Sequence, residues 1–218
     1  WRARDVALGL ALALGAGLVL VVVVVLAAVL GEPGEGTVIF LSTGLLGVAM
    51  ALIVWRLGPA RHHVSIASLG LGRPRSLQPF LWAAAALGAS LAFNLAYVGI
   101  VMLFDMDFLL PQKLDLDISG PWWIAAVAMI VFWGPLTEEL FFRGFVFAGL
   151  VGRWGAVTAG IVSALLFGVA HGAVGVMLPA FFTGLLLAAL YYRTRSLWAC
   201  FLAHAAQNAL ALSVMKGV

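Results

Sequence analysis

Six polar residues stand where the sequence around them is almost wholly apolar. Glu138, Glu139 and Arg143 fall in one hydrophobic run, His171 closes another, and His204 and Asn208 lie within a third. A charged side chain at the centre of a bilayer costs at least about 2.5–3.5 kcal/mol on insertion scales, so such residues are expected to face one another in a shared interior cavity. Glu139 and Arg143 are four apart in the acid-first order that favours an intrahelical ion pair. That spacing assigns Glu139 to holding Arg143 and leaves Glu138 for chemistry, since adjacent helix positions diverge by about 100° and cannot face one spot equally. Phe167 and His171 share a helix face, as do His204 and Asn208. A carboxylate and an imidazole together can hold and deprotonate a water. A second imidazole and a carboxamide can donate to the oxyanion of a tetrahedral intermediate. The set therefore points to peptide hydrolysis within a membrane, with Glu138 and His171 activating water and His204 and Asn208 forming the oxyanion site.

The elements that must position these residues follow from composition. Of 218 residues, 64% are hydrophobic and 10% charged, against about 45–50% and about 25% in a soluble domain. The bilayer must therefore be the solvent for most of the chain. Apolar runs occupy 6–30, 38–55, 80–104, 122–150, 156–171, 176–192 and 197–214, each near the span of a membrane helix, which needs about 20 residues. The run at 122–150 would extend roughly 40 Å as one straight helix, and Gly134-Pro135 is expected to kink or break it. The expected fold is all-α: a polytopic transmembrane bundle of seven to eight helices. Residues 1–76 read as N-terminal membrane helices with a basic cytoplasmic linker, and 77–218 as the membrane core that carries the polar set.

Charge asymmetry sets an orientation. With the N-terminus inside, the inner segments carry Arg2, Arg4, Arg56, Arg61, Arg73, Arg75, Arg153, Arg193 and Arg195, with Asp5 as their one acid. The outer segments carry Glu32, Glu35, Asp105, Asp107, Asp115 and Asp117 against Lys113 and Lys216. Glu138 lies 15 residues before Arg153 and His171 lies 16 after Gly155. In a hairpin turning near Arg153 the two reach similar depth, roughly 22–24 Å from the turn. His204 and Asn208 reach the middle of the bilayer from the inner Arg195.

The residues also carry a resemblance. Glu138-Glu139-Leu140-Phe141-Phe142-Arg143-Gly144 is similar to the EExxxR motif of the CPBP family, the CAAX proteases and bacteriocin-processing enzymes also called Abi. Phe167 to His171 resembles its FxxxH motif, and His204 to Asn208 its HxxxN motif. The stretch from Tyr191 to Trp198 resembles the family as well, and the likeness covers about 122–210. It implies a glutamate-type intramembrane endopeptidase, with the same four residues in the same roles and no cofactor. Its substrate would be a membrane-anchored protein or peptide cut near its C-terminus, at a sorting tag or a CAAX-like end.

Other readings are weighed against this one. Glu138, His171 and His204 are suitable ligand types for zinc, but the HExxH spacing of a zinc peptidase is absent. Cys200 and His204 are four apart, yet a lone cysteine in an apolar helix is most often packing, and one cysteine permits no internal disulfide. His62 and His63 read as solvated linker residues, and Phe141, Phe142, Phe181 and Phe182 as lipid-facing or core aromatics. The net charge of +3 forms no continuous basic patch, so nucleic acid is not an expected partner. A transporter would scatter its polar residues along a path or show inverted repeats; these residues cluster, and no repeat is visible. An inactive scaffold or immunity protein remains the other alternative. The chain reads as an integral protein of a bacterial inner membrane.

Overall fold

A computed structural model describes residues 1–31, 34–110 and 121–216, without the side chains of Glu35, Gly36, Pro121, Trp122, Met215 and Lys216. Glu32, Lys113, Asp115 and Asp117 lie outside the described residues. All described regular structure is helical: α1 (Ala3–Leu30), α2 (Glu35–Trp55), α3 (Gln78–Leu103), α4 (Pro121–Val127), α5 (Gly134–Glu139), α6 (Ala148–Ala170), α7 (Val174–Thr194) and α8 (Leu197–Lys216). Wider, π-helical turns extend α2 over Arg56–Ala60, join α4 to α5 over Ala128–Trp133, and join α5 to α6 over Leu140–Phe147. Short 3₁₀ turns occupy Ile66–Leu69 and Asp107–Leu109.

By length and composition, six helices are long and apolar enough to cross a membrane: Ala3–Leu30, Thr37–Ala60, Gln78–Leu103, Trp123–Ala170, Val174–Thr194 and Leu197–Val214. The apolar residues Leu14, Leu18, Val22, Leu81, Leu95 and Val157 are exposed, as they must be where lipid replaces water outside the bundle. All seven sequence runs are helical, the fourth and fifth lying in one 48-residue helical stretch. That stretch turns back on itself at Gly155, whose φ of 75° suits glycine. Pairings across the turn run in reverse order: Gly160 lies near Phe147 and Ser163 Oγ donates to Phe142 O at 2.9 Å.

Of the kink or break expected at Gly134-Pro135, the break does not occur. Gly134 keeps helical angles (φ −55°, ψ −62°), and Pro135 sits in the first turn of α5. The preceding π turn explains this. A proline ring clashes with the carbonyl four residues back in an α-helix, and the wider i→i+5 turn moves that carbonyl aside.

Small residues let α6 and α7 approach closely. On α6, Gly160 faces Ala188 and Ala164 faces Gly184 of α7, while Gly168 packs against Met177 and Phe181. A Cβ on Gly168 would lie 2.8 Å from Met177 O, and one on Gly184 would lie 3.0 Å from Ala164 Cα. Such small-xxx-small faces allow the backbone contact that drives helix association in lipid.

The segments read as inner gather at one end of the bundle. Leu197 N donates to Gly70 O at 2.9 Å and Trp198 Nε1 to Leu71 O at 3.1 Å. Trp1 Nε1 donates to Phe145 O at 2.8 Å. Asp5 is buried there, with Arg61 at 3.5 Å and His62 at 3.1 Å. His62 is therefore not the solvated residue expected, because a buried carboxylate needs a partner; His63 is exposed.

Candidate active site

Glu139 and Arg143 are fully buried and paired, Nη1 to Oε1 at 2.8 Å. Taking two charges out of water is costly unless further polar contacts accompany the pair. Here Arg143 Nη2 donates to Gly184 O at 3.3 Å, and the guanidinium lies over the Phe167 ring at 4.4 Å. The same Glu139 Oε1 meets His204 Nδ1 at 2.9 Å. One ion pair thus ties the α5–α6 junction to α6, α7 and α8.

His204 stands between the two glutamates. Its Nδ1 faces Glu139, and its Nε2 lies 3.8 Å from Glu138 Oε2. Adjacent glutamates on one helix diverge by about 100°. Both nonetheless reach one imidazole, because its two nitrogens lie on opposite sides of the ring. The environments differ sharply. Glu139 is sealed, whereas Glu138 keeps 29% of its side-chain exposure; in each, Oε2 is buried and has no hydrogen-bond partner among the described residues.

His171 closes α6 as its C-terminal cap and is exposed. Its Nδ1 lies 2.8 Å from Phe167 O, so Nδ1–H donates to that carbonyl and Nε2 is left as the basic nitrogen. Among the described residues no hydrogen bond joins His171 to Glu138. What connects His171 to the rest is the Phe167 ring, which meets His171 at 4.7 Å, His204 at 5.5 Å and Phe142 at 5.2 Å, each nearly edge to face.

Asn208 answers a backbone defect. Gly134 N donates five residues back, to Met129 O. The next residue in that register is Pro135, which has no N–H for Ile130 O. Asn208 Nδ2 donates to Ile130 O at 2.9 Å and takes the vacant place. Its amide is thereby held on the inward face of α8, one turn from His204.

A second polar group was not singled out from the sequence. Ser90 Oγ contacts Thr183 Oγ1 at 2.6 Å and donates to Gln207 Oε1 at 2.8 Å, and Gln207 Nε2 donates to Thr183 Oγ1 at 3.2 Å. These bonds link α3, α7 and α8 beside the site. Gln207 lies three residues after His204, a helical spacing that could have drawn attention to it. Cys200 is buried with Sγ 3.5 Å from Leu187 O, and Phe141 and Phe142 are core residues. Among the described residues no three His, Cys, Asp or Glu side chains come together in a way that could hold a metal ion.

Residues 120–210 match the family model described as Rce1-like, type II CAAX prenyl endopeptidase Rce1-like. The chain is also similar to the putative membrane peptidase YdiL of Bacillus subtilis (strain 168), at 33% identity over 75 residues. That alignment covers 34% of this chain and 31% of the relative, so the chain matches about a third of that protein's length. No solved structure matches.

Proposed function

We propose that this chain is an intramembrane endopeptidase using Glu138 as general base, a reading supported by the match of residues 120–210 to the Rce1-like family model and by the similarity to a putative membrane peptidase. Its substrate is a membrane-anchored protein or peptide, cut near its C-terminus at a sorting tag or a CAAX-like end. The observation that carries this reading is the division of labour between adjacent carboxylates. Glu139 is consumed by Arg143 and His204, while the Glu138 side chain is partly exposed, holds no arginine, and faces the same histidine.

In this mechanism a water between Glu138 and His171 Nε2 attacks the scissile carbonyl carbon. Its proton passes to Glu138, a C–O bond forms, and the carbonyl oxygen becomes an oxyanion. His204, held through Nδ1 by Glu139, turns Nε2 toward the side where that oxyanion develops, so an N–H there would donate to it. Asn208 adds a donor if its amide exchanges Ile130 O for the oxyanion. Collapse of the intermediate breaks the C–N bond, and the proton held by Glu138 goes to the leaving amine. Glu139 and Arg143 are positioning residues, holding the His204 ring in one orientation.

Profiling protein C-termini by mass spectrometry in the source membrane tests this, comparing the native chain with Glu138→Gln, with and without a zinc chelator. A processed terminus that disappears in the variant and survives chelation supports the proposal and names the substrate. Loss on chelation would reassign the chemistry to a metal. An unchanged set of termini would favour a scaffold or a transporter.

A further inference from the structure

The arginine-rich end of the bundle holds a feature that peptide hydrolysis does not use. The loop from Gly70 to Ser76 folds over the junction of α7 and α8, and a cavity of about 380 Å³ opens between this loop, the start of α3 and the end of α7. Arg73, Arg75, Arg193 and Arg195 line it, and no acidic residue does. All four arginines are exposed, and none has an acidic partner among the described residues. The backbone is committed to this arrangement. Gly70 has φ 86°, and a Cβ there would lie 2.8 Å from the Tyr191 ring and 3.0 Å from Arg195 O. Arg195 itself takes left-handed angles as it ends α7. Gln78 and Pro79 bring the N-terminus of α3 to the same cavity, adding the positive end of a helix dipole.

A second cavity of about 230 Å³ adjoins the first along α3 and α7, sharing Trp82 and Arg193 with it. Its walls are Ala85, Ala86 and Ala89 on α3 and Leu186, Ala189 and Leu190 on α7. Trp82 and Arg193 line both cavities, with the Arg193 guanidinium 4.9 Å above the Trp82 ring. From Trp82 to Ala89 the groove runs roughly 10 Å along the helix axis. A cluster of unpaired cations thus opens directly into an apolar channel of alanines.

We propose that these two cavities form one binding site for an anionic phospholipid of the adjacent leaflet. The headgroup phosphate lies among Arg73, Arg75, Arg193 and Arg195, and part of an acyl chain fills the alanine groove. Guanidinium groups suit phosphate because they donate two parallel hydrogen bonds, and basic pockets between membrane helices are an established mode of lipid headgroup recognition. The continuous apolar groove is what separates a lipid from a soluble phosphate as occupant. Occupancy would pin the 70–76 loop against α3 and α7, the helices that carry Ser90 and Thr183.

The test is native mass spectrometry on the detergent-purified full chain. Phosphatidylglycerol, phosphatidylcholine and glycerol 3-phosphate are titrated separately, each in excess detergent. The expected result is one-to-one retention of phosphatidylglycerol, with weaker retention of phosphatidylcholine and of glycerol 3-phosphate. In Arg73→Gln/Arg75→Gln, binding of phosphatidylglycerol falls by about fivefold for each arginine removed. These loop side chains hold no ion pair in the fold, and Arg193→Gln provides a second, independent variant. Arg56→Gln/Arg153→Gln, altered at the same end of the bundle but outside the cavity, retains native binding. Equal retention of both phospholipids would overturn the proposal. So would an equal loss in the Arg56→Gln/Arg153→Gln control, or glycerol 3-phosphate binding as tightly as phosphatidylglycerol.

Discussion

Glu138 and Glu139 are neighbours with opposite fates, and substitution should separate them. Glu139→Gln removes the carboxylate that faces Arg143 and His204 and leaves a fully buried guanidinium without its counter-charge. Breaking one partner out of a buried pair costs about 3–5 kcal/mol. The expected outcome is a large drop in thermal unfolding temperature in detergent, together with loss of activity. Glu138→Gln has no ion pair of comparable strength to lose, so its unfolding temperature should stay near the native value while cleavage stops. A parallel fall in stability for both variants would show that the two glutamates form one structural unit. Arg143→Lys should rescue poorly, because a single ammonium cannot reach Glu139, Gly184 O and the Phe167 face at once.

At the level of elements, the π turns and the small-residue faces set where those side chains arrive. The link between Pro135 and Asn208 is testable by a double-mutant cycle. Asn208→Ala leaves Ile130 O without a donor and should cost about 1–3 kcal/mol, as an unsatisfied buried carbonyl does. With Pro135→Ala already in place, a backbone N–H becomes available to Ile130 O, and the same change should cost less. Additive costs would contradict the pairing. On the α6–α7 face, Gly168→Val forces a methyl-bearing carbon against Met177 O, and a loss of about 1–3 kcal/mol is expected from overpacking, read as a lower unfolding temperature.

These elements also mark how much of the site the sequence disclosed. Charged and imidazole residues in apolar runs were visible because lipid makes them costly, and Glu139–Arg143 was visible from spacing alone. The approach of both glutamates to His204 was not, since it depends on how α8 docks against the α5–α6 junction. Nor was the survival of the helix through Pro135, because a π turn leaves no mark in hydropathy. Ser90, Thr183 and Gln207 escaped notice because uncharged polar residues are ordinary in membrane helices. The hairpin between the fourth and fifth runs was legible, since the sequence placed the turn near Arg153 and the chain turns back at Gly155.

For the whole molecule, the clustering of arginines at one end makes orientation an experimental quantity. Cys200 is fully buried, so the native chain is a quiet background for thiol labelling. Single cysteines at Arg73, Arg153 and Arg195 should be modified from the same side of the membrane by an impermeant reagent, and one at Asp107 from the other. The arginine-bearing side should be cytoplasmic by the charge rule. Labelling of Arg153→Cys only from the outside would invert the topology, and with it the side from which substrate reaches Glu138.

The Phe167 ring carries a consequence for spectroscopy. His171 and His204 both sit nearly edge to face against it, at 71° and 83°, so one aromatic current acts on both imidazoles. Their carbon-bound proton resonances should be displaced from the positions of free histidine, and a tilt of this ring should move the two signals together. Replacing it with leucine should return both toward ordinary values. In an otherwise spectrally crowded helical protein with four histidines, that paired displacement would pick out the candidate site and report its occupation without any label.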